Sequence, residues 1–215
     1  MTLRDLFTPL ALVLALALAA ATLAGFVLVP AGTILPVHWG ISGQADGFLP
    51  RDAALLLLPG IFVLVIALIW LSTRLNAPER VAGARHGLRV VVPGLLALGL
   101  VIQAATILIG MGQPVDMVRI IVLALGLLFV LLGNVLPKSQ PNAVSGVRLP
   151  WTMASPANWQ ATNRLVGLLM LLAGLAMTIA ALLTSSPYAL LAVVTAGVLI
   201  PLLAGTLYSY RLSRR

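Results

Sequence analysis

The side chains able to do chemistry are concentrated in two polar stretches of an otherwise apolar chain. The first is LPVHWGISGQADGFLPRD, residues 35–52, in which His38 and Asp46 are the reactive pair. Two donors are too few for tetrahedral zinc, and Ser42 lies in no triad order that would make it a nucleophile. A hydrogen bond between His38 and Asp46 that pins the loop is the favoured interpretation. Metal binding, catalysis and ligand recognition by this stretch remain as alternatives.

The second stretch, LLGNVLPKSQPNAVSGVRLPWTMASPANWQATNRLVG, covers residues 131–167 and is rich in proline, asparagine and tryptophan. Its length and its tryptophans predict an ordered interfacial loop rather than a simple connection. We expect a buried Asn134 amide to tie loop backbone to a helix, and Asn142 to cap a turn. Arg148 offers a rigid guanidinium fork to a carboxylate, a lipid phosphate or backbone carbonyls. The favoured interpretation is a self-satisfied loop, in which the polar groups of the loop bond to one another and the Arg148 guanidinium donates to backbone carbonyls. A phosphate site is the alternative.

The composition places the rest of the chain in the membrane class. Of 215 residues, 61% are hydrophobic and only 8% are charged. The net charge of +8 does not indicate nucleic-acid binding, because the basic residues are scattered among apolar runs rather than gathered on one face. The absence of cysteine excludes disulfides, thiolate catalysis and cysteine-ligated metals.

Six apolar runs are long enough to cross a bilayer as helices. They are continuous rather than alternating, which excludes the strands of a membrane barrel. The first run exceeds the length of a signal-peptide core and is interpreted as an uncleaved helix. The runs cover residues 8–30, 53–73, 89–112, 117–136, 164–185 and 187–209. We therefore predict an all-α, polytopic integral membrane protein with about six transmembrane helices.

The basic residues predict the orientation of these helices. With the N-terminus in the cytoplasm, only Arg51 and Arg119 of the 13 basic residues fall outside. Both termini are then cytoplasmic, and the positive-inside rule accounts for the cluster from Arg74 to Arg89 without an anionic ligand. The residues assigned to the inside are Arg4, Arg74, Arg80, Arg85, Arg89, Lys138, Arg148, Arg164, Arg211, Arg214 and Arg215.

The chain divides into two halves under this topology. Residues 1–112 hold the first three helices and an extracytoplasmic loop at 31–52, and residues 113–215 hold the last three helices and a cytoplasmic loop at 137–163. No ionisable side chain falls near the middle of any run, where Gln103 is the most polar residue. Ion-coupled transport normally requires such a group, so it is not favoured.

The second stretch is similar to the signature of the SdpI family, bacterial membrane proteins named for immunity to a secreted peptide toxin. The residues around Pro36, His38, Trp39, Gly43 and Asp46 also resemble the small domain that usually precedes this signature. The signature elements fall on Gly133, Asn134, Leu136, Pro137, Lys138, Pro141, Asn142, Gly146, Arg148, Pro150, Trp151, Thr152, Ser155, Trp159, Thr162, Asn163, Arg164 and Gly167.

This resemblance implies toxin immunity at the bacterial inner (cytoplasmic) membrane, joined in some members to capture of a cytoplasmic repressor. The expected partners are the lipid bilayer, a secreted toxin peptide and such a repressor, with no nucleic acid, cofactor, metal or enzymatic activity. A lipid-handling or small-molecule-binding protein that uses the Asn142 and Arg148 loop is the alternative. The candidates for toxin recognition are His38, Trp39 and Asp46, and those of the signature loop are Asn134, Lys138, Asn142, Arg148, Trp151, Trp159 and Arg164.

Overall fold

The fold is a helical bundle with one small β-hairpin. A computed structural model describes residues 8–214, except the side chain of Arg80, so the predicted inside residues Arg4 and Arg215 lie outside the described part. The helices are α1 (Pro9–Leu28), α2 (Arg51–Leu75), α3 (Pro78–Ala82), α4 (Arg85–Gly110), α5 (Met117–Val135), α6 (Pro150–Ala154), α7 (Pro156–Leu183) and α8 (Pro187–Ser213), and the strands are β1 (Ile34–Trp39) and β2 (Ala45–Pro50).

The predicted fold class is confirmed. In the described residues, six helices have the length and composition to cross a membrane, namely α1, α2, α4, α5, α7 and α8. The helices extend beyond several of the apolar runs, because polar caps lie outside the apolar segment. The clearest case is α7, which begins at Pro156 after the Ser155 hydroxyl accepts a hydrogen bond from the Asn158 backbone amide. The cytoplasmic placement of both termini stays a prediction.

The segment predicted as a turn-rich outer loop is an antiparallel hairpin of β1 and β2. Its turn is closed by hydrogen bonds from the Gly40 amide to the Gln44 carbonyl and from the Gly43 amide to the Gly40 carbonyl. Gly43 has a φ of 76°, a conformation that side chains disfavour. The strands were not predicted because prolines and glycines interrupt the alternation that marks a strand, and the register shifts between Pro36 and Trp39 have the same effect.

Two groups of three helices share apolar contacts. Helices α1, α2 and α4 bury a cluster that includes Leu18, Phe62 and Leu96. Helices α5, α7 and α8 bury another, which includes Val122 and Met177. The predicted domain boundary at 112/113 is not tested by these contacts and stays a prediction.

Both arginines predicted to lie outside bind the C-terminal carbonyls of helices. Arg51 donates to the carbonyls of Phe26 and Val29 at the end of α1, at 3.4 and 2.9 Å. Arg119 donates to the carbonyls of Ala181 and Leu182 at the end of α7. A cation at a helix C-terminus satisfies carbonyls that lack helical partners and complements the helix dipole. These two side chains therefore have structural roles at the end of the bundle that carries the hairpin, which we call the hairpin end.

Glycines on both helices allow the backbones of α5 and α7 to touch. A Cβ atom on Gly133 would lie 2.5 Å from the Leu171 amide nitrogen and 2.6 Å from the Gly167 carbonyl oxygen. One on Gly126 would lie 2.8 Å from the Gly174 carbonyl oxygen. No side chain fits at such distances without moving a helix. Close packing of small residues therefore sets the distance between these two helices.

We predict that Gly133→Val destabilises the protein, whereas Gly60→Val does not. A Cβ at Gly60 in α2 meets nothing within 4 Å, so this control applies the same change to a helical glycine with free space. Overpacking at Gly133 should cost about 1–3 kcal/mol or more. The midpoint of thermal unfolding in detergent measures the difference, and equal midpoints for the two variants would contradict close packing of α5 and α7.

Candidate functional site

A cavity of about 630 Å³ lies beneath the hairpin, between β1 and the helices α2, α4, α5 and α8. We call it the hairpin cavity. Its walls are mainly aliphatic side chains, and the hairpin contributes the most polar part. The walls include Leu57, Ile61, Ile102, Ile121, Leu125 and Val194. Such a cavity can hold an apolar segment of a ligand and offers little hydrogen bonding along its walls.

The structure brings His38, Trp39 and Asp46 together on the hairpin. His38 Nδ1 and Asp46 Oδ1 are 2.5 Å apart, so the predicted hydrogen bond is present, although both side chains are more than half exposed. Two glycines make room for it, since a Cβ on Gly40 would lie 2.6 Å from Asp46 Oδ2 and one on Gly47 would lie 2.8 Å from His38 Cβ. His38 and Trp39 also line the hairpin cavity. The pair therefore fixes the shape of the hairpin next to the cavity.

The hairpin offers no constellation for a metal. Within residues 8–214 the structure contains no group of three or more histidine, cysteine, aspartate or glutamate side chains that could hold an ion. Asp52, at the start of α2, accepts a hydrogen bond from the Arg51 guanidinium at 2.7 Å.

The opposite end of the bundle carries the signature loop, residues 137–163, and we call it the loop end. The side chains of this loop satisfy the hydrogen bonds of its own backbone. Asn142 is 1% exposed, and its amide donates to the Gln140 carbonyl and accepts from the backbone amides of Val144 and Ser145, at 2.8–2.9 Å. This is the turn cap expected of Asn142. Arg148 donates to the Ala143 carbonyl, as the self-satisfied loop predicts. The Asn142 amide is thus committed to the loop, which weakens the alternative of a ligand site at Asn142 and Arg148.

The prediction for Asn134 was wrong. This side chain is exposed and has no hydrogen-bond partner within the described residues. Gly133 faces α7, and successive residues of a helix point about 100° apart, so Asn134 is turned away from the loop. Lys138 and Arg164, also candidates, are exposed as well.

Asn163 performs the task that was assigned to Asn134. It is fully buried, its Oδ1 accepts from the Val147 backbone amide at 2.9 Å, and its Nδ2 donates to the Trp159 carbonyl at 2.9 Å. Thr152 closes the same turn, since its hydroxyl contacts the backbone of Val147 and Leu149. Asn163 and Thr152 belong to the signature but were left out of the candidate list. Their only sequence signal was the motif, because propensity alone does not distinguish a buried asparagine from an exposed one.

The two tryptophans of the loop have different environments. Trp159 is completely buried, and its indole donates to the Ser139 carbonyl at 3.1 Å. It therefore forms the core of the loop rather than an interfacial anchor. Trp151 is partly exposed and ties the loop to α8, where it donates to the Ser209 hydroxyl at 2.8 Å and packs edge-on against Tyr210.

Gln103 is a further buried polar group, in the first three-helix group. Its Nε2 donates to the Thr22 hydroxyl at 3.2 Å and to the Leu55 carbonyl at 3.1 Å, while its Oε1 has no partner in the described part of the chain. These bonds join α1, α2 and α4. Gln103 does not line the hairpin cavity, so its role is to connect helices.

Comparison with known proteins agrees with the resemblance read from the signature. The model of the SdpI/YfhL protein family matches residues 138–209. The chain is also 29% identical over 116 residues to Immunity protein SdpI of Bacillus subtilis (strain 168), an alignment that covers 54% of this chain and 55% of that protein. The match thus spans about half the length of the curated relative. No solved structure matches the chain.

We predict that Asn163→Ala destabilises the signature loop and that Asn134→Ala is neutral. The first change leaves the Val147 amide and the Trp159 carbonyl without their partner, which should cost about 1–3 kcal/mol. The second removes an exposed amide, and a surface change of this kind stays within about 0.5 kcal/mol. Thermal unfolding in detergent followed by tryptophan fluorescence measures both. Equal loss in the two variants would refute the assignment of the loop's central hydrogen bonds to Asn163.

Proposed function

Because residues 138–209 carry the signature of the SdpI/YfhL family, we propose that this multi-pass membrane protein protects a bacterial cytoplasmic membrane against a secreted, membrane-active peptide. The B. subtilis relative is named an immunity protein, which supports this function. The six apolar helices support a permanent position in the bilayer, where such a peptide acts.

The observation that carries the proposal is the hairpin cavity. Its volume of about 630 Å³ lies within the range of roughly 300–1,000 Å³ that is typical of ligand sites. Its walls come from helices of both three-helix groups and from β1, so a ligand inside would contact both groups. An apolar side chain of a peptide that arrives from water would contribute about 1.5–3 kcal/mol when it is fully buried there.

Recognition begins at the hairpin in this proposal. His38, Trp39 and Asp46 contact the peptide first, since the two charged or polar side chains are exposed and Trp39 lines the cavity. The hydrogen bond between His38 and Asp46 holds the hairpin in one shape, which reduces the entropy lost on binding. The distribution of basic residues supports an extracytoplasmic hairpin, the side from which a secreted peptide comes.

Binding at the outer surface would protect the membrane by sequestration. A peptide whose apolar segment occupies the cavity cannot insert that segment into lipid. The mechanism needs no proton transfer, nucleophile or metal, in agreement with the expectation that the protein is not an enzyme.

We predict that Val194→Trp abolishes protection and that Val198→Trp preserves it. Val194 lines the cavity, and a tryptophan there fills it, whereas Val198 lies one turn later on α8, is 45% exposed and does not line the cavity. The measurement is growth of cells challenged with a panel of secreted membrane-active peptides, at matched levels of each variant in the membrane. Equal protection by both variants would exclude the cavity as the binding site.

The loop end supports a second role, capture of a cytoplasmic repressor. Lys138, Arg148 and Arg164 are all exposed and come from the signature loop and the start of α7. Such a surface would attract an acidic patch on a soluble protein. Ordered loop backbone behind these side chains fixes their positions, which favours a specific contact.

For this role we predict that a soluble repressor co-sediments with membranes from peptide-challenged cells and is lost from membranes that contain Arg164→Glu. Asn134→Glu is the matched control, since it also adds an acidic group at an exposed position near the loop. Quantitative proteomics of washed membranes reads the result. Absence of any repressor from wild-type membranes would contradict capture of a repressor. It would not affect the immunity proposal, which the Val194→Trp and Val198→Trp variants test separately.

A further inference from the structure

A second pocket, of about 310 Å³, lies at the loop end where the segment between α3 and α4 meets the signature loop. We call it the basic pocket. Arg85, His86 and Arg89 line it from the start of α4, and Lys138 and Gln140 line it from the loop. The positive-inside rule accounts for basic residues on this side of a membrane protein, but not for their convergence from distant parts of the chain.

Every ionisable side chain among the described residues that line the basic pocket is a base. Arg85 and Arg89 are four residues apart, so they lie on one face of α4. Lys138 lines the pocket from the signature loop. No carboxylate is among the described residues that line it. The pocket is therefore complementary to a negatively charged group.

Backbone contacts fix the two walls of the basic pocket relative to each other. A Cβ on Gly83 would lie 3.0 Å from the Pro141 carbonyl oxygen and 3.1 Å from that of Gln140. The buried Asn142 amide in turn binds the Gln140 carbonyl. The junction of the two walls is thus packed backbone against backbone, and the cations around it are held by ordered structure.

Neighbouring residues indicate that the basic pocket lies at the level of the lipid headgroups. Trp70 packs against Ala84 and Leu88, which flank Arg85 and His86 in the chain, and the Arg74 guanidinium lies 5.4 Å from the centre of its ring. The Trp70 indole nitrogen is buried and has no partner among the described residues. On the same helix Leu75 is 77% exposed, as suits a side chain that faces lipid. A tryptophan ring under an arginine guanidinium at the end of an apolar helix is typical of the interface between lipid tails and water.

We propose that the basic pocket binds the phosphate group of an anionic phospholipid. Arginine binds phosphate through two parallel hydrogen bonds, and basic pockets between membrane helices on the cytoplasmic side are suited to such headgroups. A soluble phosphate has the same chemistry, but the pocket's position beside the interfacial Trp70 favours a lipid. The bound lipid would join the start of α4 to the signature loop, independently of any peptide at the hairpin end.

The test uses the purified full chain in detergent, titrated with phosphatidylglycerol or with zwitterionic phosphatidylcholine, and counts retained lipids by native mass spectrometry. We expect tighter retention of phosphatidylglycerol, weakened roughly fivefold by Arg89→Gln and by Lys138→Gln. Arg211→Gln is the matched control, because it removes an exposed charge at the same end of the bundle without touching the pocket. Its retention should equal that of the wild type.

Three results would overturn the proposal. One is equal retention of the two lipids, and another is equal weakening by Arg89→Gln, Lys138→Gln and Arg211→Gln. The third is complete displacement of phosphatidylglycerol by an excess of inorganic phosphate, which would assign the pocket to a soluble anion. Both pocket residues are exposed, and thermal unfolding of each variant checks that a loss of lipid is not a loss of fold.

Discussion

The contact between the backbones of α5 and α7 is the constraint on which the loop end depends. Glycines at 126, 133, 167 and 174 allow this contact, and Pro137 packs over Gly167 where α5 ends. The long loop between the helices therefore starts and finishes at nearly the same place. Because that separation is fixed, the Trp159 indole on α7 reaches the Ser139 carbonyl. For the same reason the Asn163 side chain reaches the Val147 backbone amide. The signature residues are thus mainly the components of one closed, self-satisfied structure.

Hydropathy predicted the six spanning helices because lipid requires long uninterrupted apolar segments, and that demand is visible in any single sequence. The hairpin was hidden because prolines and glycines replace the usual strand alternation. The direction of side chains on the helices was not predicted either. Asn134 and Asn163 both belong to the signature, and the packing of Gly133 against α7 decides which of the two faces the loop. The convergence of Lys138 with Arg89 depends on tertiary structure and has no signal in sequence spacing.

The two ends of the bundle use their charges differently. At the hairpin end, Arg51 and Arg119 donate hydrogen bonds to the carbonyls at helix C-termini. His38 and Asp46 form an exposed polar pair beside an apolar cavity. At the loop end, basic side chains surround a pocket or remain on the surface, while Asn142 and Asn163 satisfy the backbone. This division supports contact with an apolar peptide at one end and with anionic partners at the other.

Protection of the membrane is measured most directly as membrane potential. Cells with and without the gene are loaded with a voltage-sensitive dye and challenged with a panel of secreted membrane-active peptides. We predict that at least one peptide depolarises only the cells that lack the protein. Equal depolarisation of both strains by every peptide that acts on them would contradict the proposed protection of the membrane.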